Sequence, residues 1–281
     1  MRGQSVPVNI GRIAFANCTP IFTAFEQAHP PVAYHLVPGV PSALNRMLAT
    51  GVIDLCPSSS VEYVKQTGQY LILPDLSISA IGPVKSVFLF SRLPLEELDA
   101  TTVGLTGESD TSAILLKVLL TRYLGFTNRY ERTWQPVHEA SRRYPSLLLI
   151  GDTAMKTAAT AHVPFVYDLG ELWYRFTGLP FVFAFWLVRR ETVMIRRNQI
   201  ALLHQALLDA KERAYGAYPE IAKGCAERDW YGEEHLVEYW NTISYDLTSN
   251  HCAGASLFFR NAAELGLLPS EPALEFFSGD G

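Results

Sequence analysis

Short apolar runs, each ending in a cluster of hydroxyl, amide or carboxylate residues, recur through the first two thirds of the chain. Ile13-Ala14-Phe15-Ala16 runs into Asn17-Cys18-Thr19-Pro20, where Thr19 can cap a helix and Pro20 can take its first position. Val52-Ile53-Asp54-Leu55-Cys56 runs into Pro57-Ser58-Ser59-Ser60-Val61-Glu62, with Ser59 and Glu62 at capping-box spacing. Thr102 to Leu105 leads through Thr106-Gly107-Glu108-Ser109-Asp110-Thr111-Ser112 to a helical pattern over 113–123. Leu147 to Ile150 ends in Gly151-Asp152-Thr153-Ala154. Each block predicts a strand giving way to a helix. Their alternation predicts an α/β protein with largely parallel sheets, whose ligands bind beyond the carboxyl ends of the strands.

Two further apolar stretches, over 86–91 and 181–188, bracket a central segment with strands and helices of its own. They read as crossovers between a discontinuous outer domain and an inserted one, dividing the chain into 1–88 with 188–281 (lobe I) and 89–187 (lobe II). Beyond Arg189 the apolar spacing turns to three and four residues over 196–215, 233–242 and 251–264, and Gly266 fits a helix stop. The aromatic cluster Trp173, Tyr174, Phe176, Phe181, Phe183, Phe185 and Trp186 is expected in the core.

Composition narrows the chemistry. The 281 residues are 48% apolar and 18% charged, enough to bury a large core without disulfides. A formal charge of −5 gives no footprint for nucleic acid. The longest apolar run, Leu179 to Val188, is interrupted by Pro180 and is too short to span a membrane. Pro7, Asn9 and Arg12 break the N-terminal apolar stretches, so no signal-peptide core is present and the cytoplasm is expected. The four cysteines, at 18, 56, 225 and 252, form no Cys-x-x-Cys pair, and no metal site is expected. No glycine-rich nucleotide fingerprint follows a strand, and no Gly-x-Ser-x-Gly elbow occurs, so neither a nucleotide cofactor nor a serine nucleophile is expected.

The candidates at strand ends are Asn17, Ser58, Ser59, Ser60, Ser86, Thr111, Ser112 and Asp152. They are mostly neutral donors and acceptors, with no histidine among them. Singly, each is also explained as a helix cap or a turn residue.

Jointly they are more specific. Ile10-Gly11-Arg12-Ile13 with Asn17-Cys18-Thr19-Pro20, then Pro57-Ser58-Ser59-Ser60-Val61-Glu62-Tyr63, Gly82-Pro83-Val84-Lys85-Ser86-Val87 and Ile150-Gly151-Asp152-Thr153-Ala154-Met155 come in order. Tyr167-Asp168-Leu169-Gly170-Glu171-Leu172-Trp173 and Phe176-Thr177-Gly178-Leu179-Pro180-Phe181-Val182-Phe183-Ala184 follow. Across essentially the whole chain this order resembles the chorismate dehydratase family, which performs the first step of the futalosine route to menaquinone. The resemblance implies a two-lobed fold like that of type II periplasmic binding proteins, with the ligand cleft between the lobes. It also implies a carbon–oxygen lyase that removes water from chorismate to give 3-[(1-carboxyvinyl)oxy]benzoate, a small-molecule substrate and no cofactor.

By the same resemblance Asn17 and Ser86 are the catalytic residues. Ser59, Ser60, Thr111, Ser112 and the turn Gly151, Asp152, Thr153, Ala154 bind the substrate, with Asp152 read as a helix cap rather than a contact through its charge. Ser58 departs from the small aliphatic residue usual in the family, so Ser59 is taken as the ligand hydroxyl. No motif supplies a general base, and the enolpyruvyl carboxylate of the substrate is expected to take the C3 proton. Two other readings stand beside this one. The dihydroxynaphthoate synthase of the same pathway is expected to carry a histidine in a Gly-Val-Ile-Ile-His-Glu-like segment, where Leu149 to Met155 here has none. A non-catalytic carboxylate-binding protein could use the same lobes.

Overall fold

A computed structural model describes residues 6–107, 109–160 and 162–279. The chain lays down β1 (Val8–Ile13), α1 (Thr19–Gln27), β2 (Tyr34–Gly39), α2 (Pro41–Ala49), β3 (Leu55–Ser59), α3 (Ser60–Lys65) and β4 (Tyr70–Ala80). It then passes to β5 (Val87–Ser91), β6 (Thr102–Thr106), α4 (Asp110–Val118), β7 (Arg129–Thr133), α5 (Val137–Arg143), β8 (Ser146–Ile150), α6 (Gly151–Thr160) and β9 (Phe165–Asp168). Helix α7 (Leu169–Thr177) leads back to β10 (Phe181–Arg189), followed by α8 (Arg190–Tyr215), α9 (Tyr218–Gly224), α10 (Arg228–Tyr231), α11 (Glu233–Trp240), β11 (Ile243–Ser244) and α12 (Ser249–Glu264). No helix among the described residues is long and apolar enough to cross a membrane.

Two sheets result, in the orders β11-β4-β10-β3-β1-β2 and β7-β6-β8-β5-β9. Each has a parallel core, β2-β1-β3 in one and β7-β6-β8 in the other, and in each the next strand runs antiparallel to that core. In the first sheet that strand is β10, paired with β3 and β4; in the second it is β5, paired with β8 and β9. The expected boundaries at 88/89 and 187/188 therefore fall inside β5 and β10. The sheets part earlier, between Ala80 and Val87 and again between Asp168 and Phe181. Because β10 is paired on both sides and covered on both faces, its apolar run is nearly unbroken, with Phe181, Phe185, Trp186, Leu187 and Val188 all at 0–1% exposure.

Asp168 locks the two crossovers together. Its carboxylate accepts N–H bonds from Val84 at 3.0 Å and Lys85 at 2.7 Å on the outward crossover, and from Gly170 and Glu171 at the start of α7 on the return. At the far end Gly178, left-handed at φ 68°, terminates α7. The indole N–H of Trp173 then reaches the Pro180 carbonyl at 3.3 Å, and its ring meets Phe181 and Phe258 edge-on. The conspicuous block from Thr177 to Ala184 is thus a helix stop followed by a core strand. Of the aromatic cluster, Tyr174 and Phe176 are exposed.

Other differences from the sequence reading have local causes. Strand β3 continues through Pro57, Ser58 and Ser59 because these pair with β10. Cys18, not Thr19, is the N-cap of α1, and Thr19 Oγ1 donates to Glu227 at 2.6 Å. Helix α8 begins at Arg190, six residues early, and its geometry breaks at Arg196, whose guanidinium donates to the Pro7 carbonyl. The apolar tail docks: Phe277 is 4% exposed and its N–H bonds to the Ile72 carbonyl at 2.8 Å.

Candidate functional site

A cleft of roughly 610 Å³, partly open to solvent, lies between the sheets. From the first sheet come Ile13 and Ser59 at the carboxyl ends of β1 and β3, with Ile78, Phe183 and Ala184. The second contributes Val87, Ile150 and Gly151, and Ser109 with Ser112 from the start of α4. Phe15, Asn17 and Pro41 close one side, and Val84 and Ser86 of the first crossover close another. No charged side chain lines this cleft among the described residues. Walls of apolar side chains with a few fixed polar groups suit a small ligand held in one orientation.

The hydrogen bonds fix what each polar group can offer. Ser59 Oγ accepts from Asn45 Nδ2 at 3.1 Å, so its own proton remains available. Across the cleft, Ser112 Oγ accepts from the Ser109 hydroxyl at 3.2 Å, while Ser109 Oγ takes the Ser112 N–H at 3.1 Å and caps α4. Ser112 is therefore also set as a donor. Asn17 is the opposite case: its Oδ1 is buried with no partner, an acceptor that a donor must satisfy. Ser86, 3% exposed, donates a long bond of 3.4 Å to the Val84 carbonyl. The Tyr239 phenol lies against Ser86, and burial pushes its pKa up while the serine's hydrogen bond opposes the shift.

Asn17, Ser59, Ser86, Ser112 and Gly151 thus meet in one cleft, as a joint site requires. The other five predicted residues point elsewhere. Thr111 Oγ1 accepts the Val61 N–H at 3.1 Å and lies 3.5 Å from Ser60 Oγ, so these two hydroxyls join α3 to α4 rather than facing the cleft. Asp152 Oδ1 accepts the Ala16 N–H at 3.1 Å, and burial raises its carboxyl above the usual range. Thr153 is exposed in a neighbouring groove with Gly107 and Trp134. Ala154 is fully buried in a separate apolar cluster with Phe90 and Leu149. Past Gly151, α6 carries successive side chains away from the ligand space.

The sequence profile of a family described as "Menaquinone biosynthesis" matches residues 8–264. The chain belongs to that family. A chorismate dehydratase of Thermus thermophilus is 36% identical over 278 residues, 93% of this chain and 96% of the relative. Among solved structures, a protein of Archaeoglobus fulgidus superposes with a TM-score of 0.75 at 16% identity, covering 95% of this chain and all of that one. The alkanesulfonate-binding protein SsuA of Xanthomonas axonopodis pv. citri, bound to MOPS, gives 0.70 at 13% identity, covering 97% of each chain. A Candida albicans protein described as having the generic periplasmic binding protein fold gives 0.62 at 12%, covering 98% and 99%. The menaquinone family member thus has the two-sheet periplasmic-binding-protein fold expected from its motifs.

Sequence reasoning missed Asn45 and Ser109, the residues behind the two donor hydroxyls. Ser109 stood in plain view in the block before α4 and could have been found as its cap; Asn45 sits inside α2, where nothing in its spacing marks it. The apolar lining residues Phe15 and Phe183 carried no signal distinguishing them from core.

Proposed function

We propose that this family member is a chorismate dehydratase, a carbon–oxygen lyase that converts chorismate to 3-[(1-carboxyvinyl)oxy]benzoate and water. The observation that carries the reading is the polarity of the cleft. Two hydroxyls poised to donate, Ser59 and Ser112, face it from different sheets, and one unpartnered acceptor, Asn17 Oδ1, stands beside them. Chorismate offers two carboxylates and one hydroxyl, which match two donors and one acceptor. The 36% identical dehydratase supports the same substrate.

Each sheet with its helices forms one lobe, and the division follows the crossovers over 81–86 and 169–180. Asn17 Oδ1 accepts a hydrogen bond from the C4 hydroxyl and fixes its direction, while Ser86 donates to the same departing oxygen. The enolpyruvyl carboxylate takes the C3 proton as the C3–H electron pair forms the new ring double bond and the C4–O bond breaks. That proton then passes to the departing hydroxide, giving water and an aromatic ring. The protein contributes orientation and polarisation. Ser59 and Ser112 hold carboxylate by charge-assisted hydrogen bonds. A biosynthetic enzyme of this kind works in the cytoplasm. Purified protein incubated with chorismate should yield an aromatic product 18 mass units lighter, followed by absorbance and mass. Binding of chorismate without any conversion would instead make the protein a receptor.

A further inference from the structure

The turn Gly151-Asp152 bonds to Ser86 and to the residue next to Asn17, Ser86 and Asn17 being the two residues assigned to the chemistry. Its Gly151 N–H donates to the Ser86 carbonyl at 2.8 Å, and its Asp152 carboxylate accepts the N–H of Ala16, the neighbour of Asn17, at 3.1 Å. Gly151 has φ 58°, and a Cβ there would sit 3.2 Å from the Phe15 ring, so the turn packs directly on the Asn17 segment. From the first-sheet side the same segment is held twice more. Trp240 Nε1 donates to the Ala16 carbonyl and Tyr245 OH to the Asn17 carbonyl, each at 2.8 Å. The main chain around Asn17 is thereby anchored, while the Asn17 side-chain oxygen stays buried without a hydrogen-bond partner in a residue that lines the cleft.

We infer that Asp152 is a positioning residue: it ties the Asn17 segment to the Ser86 crossover across the cleft, so that both groups reach the substrate at once. This rests on the dehydratase reading and replaces the substrate contact expected for Asp152. The role needs only an acceptor oxygen at Oδ1. A displacement of about 1 Å at a reacting group costs about a hundredfold in rate.

The test compares Asp152→Ala with Asp152→Asn in the full chain, using chorismate turnover and backbone hydrogen exchange. Asp152→Ala should lower kcat by about a hundredfold with KM changed less than threefold. Asp152→Asn, which keeps an oxygen acceptor without the charge, should restore kcat to within about fivefold of wild type. In exchange, the peptide containing Ala16 should open faster in Asp152→Ala and remain protected in Asp152→Asn. Equal loss of kcat in both variants would overturn the inference and point to a role for the carboxylate charge. Normal kcat or unchanged Ala16 exchange in Asp152→Ala would overturn it too. Lack of product from the wild-type protein would refute the dehydratase reading instead, and the exchange comparison would still decide whether Asp152 holds the Asn17 segment.

Discussion

The Asn45 amide donates to Ser59 Oγ at 3.1 Å, and this single bond decides which way the serine proton can point. A hydroxyl that already accepts one strong bond is free to give its own proton to an anion in the cleft. Ser59→Ala should therefore raise KM for chorismate by about tenfold or more, the value of one charge-assisted hydrogen bond. Asn45→Ala should raise KM by less, because Ser59 keeps its proton and loses only its orientation. Steady-state kinetics on both variants and their double substitution would show the coupling: effects that simply add would separate Asn45 from Ser59.

In the proposed mechanism Asn17 and Ser86 act on the reacting oxygen, so their removal should appear in kcat. Asn17→Ala and Ser86→Ala should each lower kcat by about a hundredfold, within the range seen when one preorganised polar group is lost. Circular dichroism and melting temperature should stay close to wild type. Near-normal turnover in both would remove them from the mechanism.

Asp168 serves structure at the crossovers. It is 7% exposed and satisfies N–H groups on both strands of the connection. Asp168→Ala strands those donors and removes the α7 cap, so it should destabilise the protein by about 2–4 kcal/mol in chemical denaturation. Asp168→Asn should fall between the two.

Acid sensitivity should trace in part to His251. Its Nδ1 accepts from the Thr248 N–H at 3.3 Å, capping α12, and its Nε2–H faces Ser244 Oγ at 3.2 Å, an arrangement that requires the neutral ring. Burial holds its pKa below the usual 6.5, with Asp246 opposing. The unfolded chain therefore takes the proton first. This stabilising contribution is present above about pH 6.5 and is lost as pH falls through the lower folded value. The melting temperature should drop a few degrees between pH 7.5 and pH 5, and less steeply in His251→Gln. His204, held down by burial against the Pro74 carbonyl, contributes the same sign to both proteins and leaves a residual slope. An identical slope in the variant would remove His251 from the account.

Strand-to-helix junctions were legible because they combine a change of hydrophobic period with residues that suit a turn, and β5 and β10 were legible as uninterrupted apolar runs, although the chain crosses between the sheets just before each of them. The end of β3 was not, because Pro57-Ser58-Ser59 has turn composition and becomes strand only by pairing with β10 from far along the chain. Of the residues that line the cleft, Asn17, Ser59, Ser86 and Ser112 were legible because they sit at or beside strand and helix ends. Thr111 and Asp152 were placed at the right junctions, but their bonds to the Val61 and Ala16 N–H groups were not legible, since sequence locates a helix start but not which neighbour its first-turn side chains meet. Asn45 depends wholly on how α2 packs beside β3.

The position of β10 has a bearing on how the molecule is made. The strand separates β3 from β4 in the first sheet, yet it emerges from the ribosome only after all five strands of the second. A nascent chain stopped before Phe181 holds every strand of the second sheet, while the first remains in two unjoined pieces. Synthesis therefore favours completion of the inserted half first, with the outer half closing around the late-arriving strand. Limited proteolysis of stalled chains should find residues 87–177 protected while β1 to β4 are still cut.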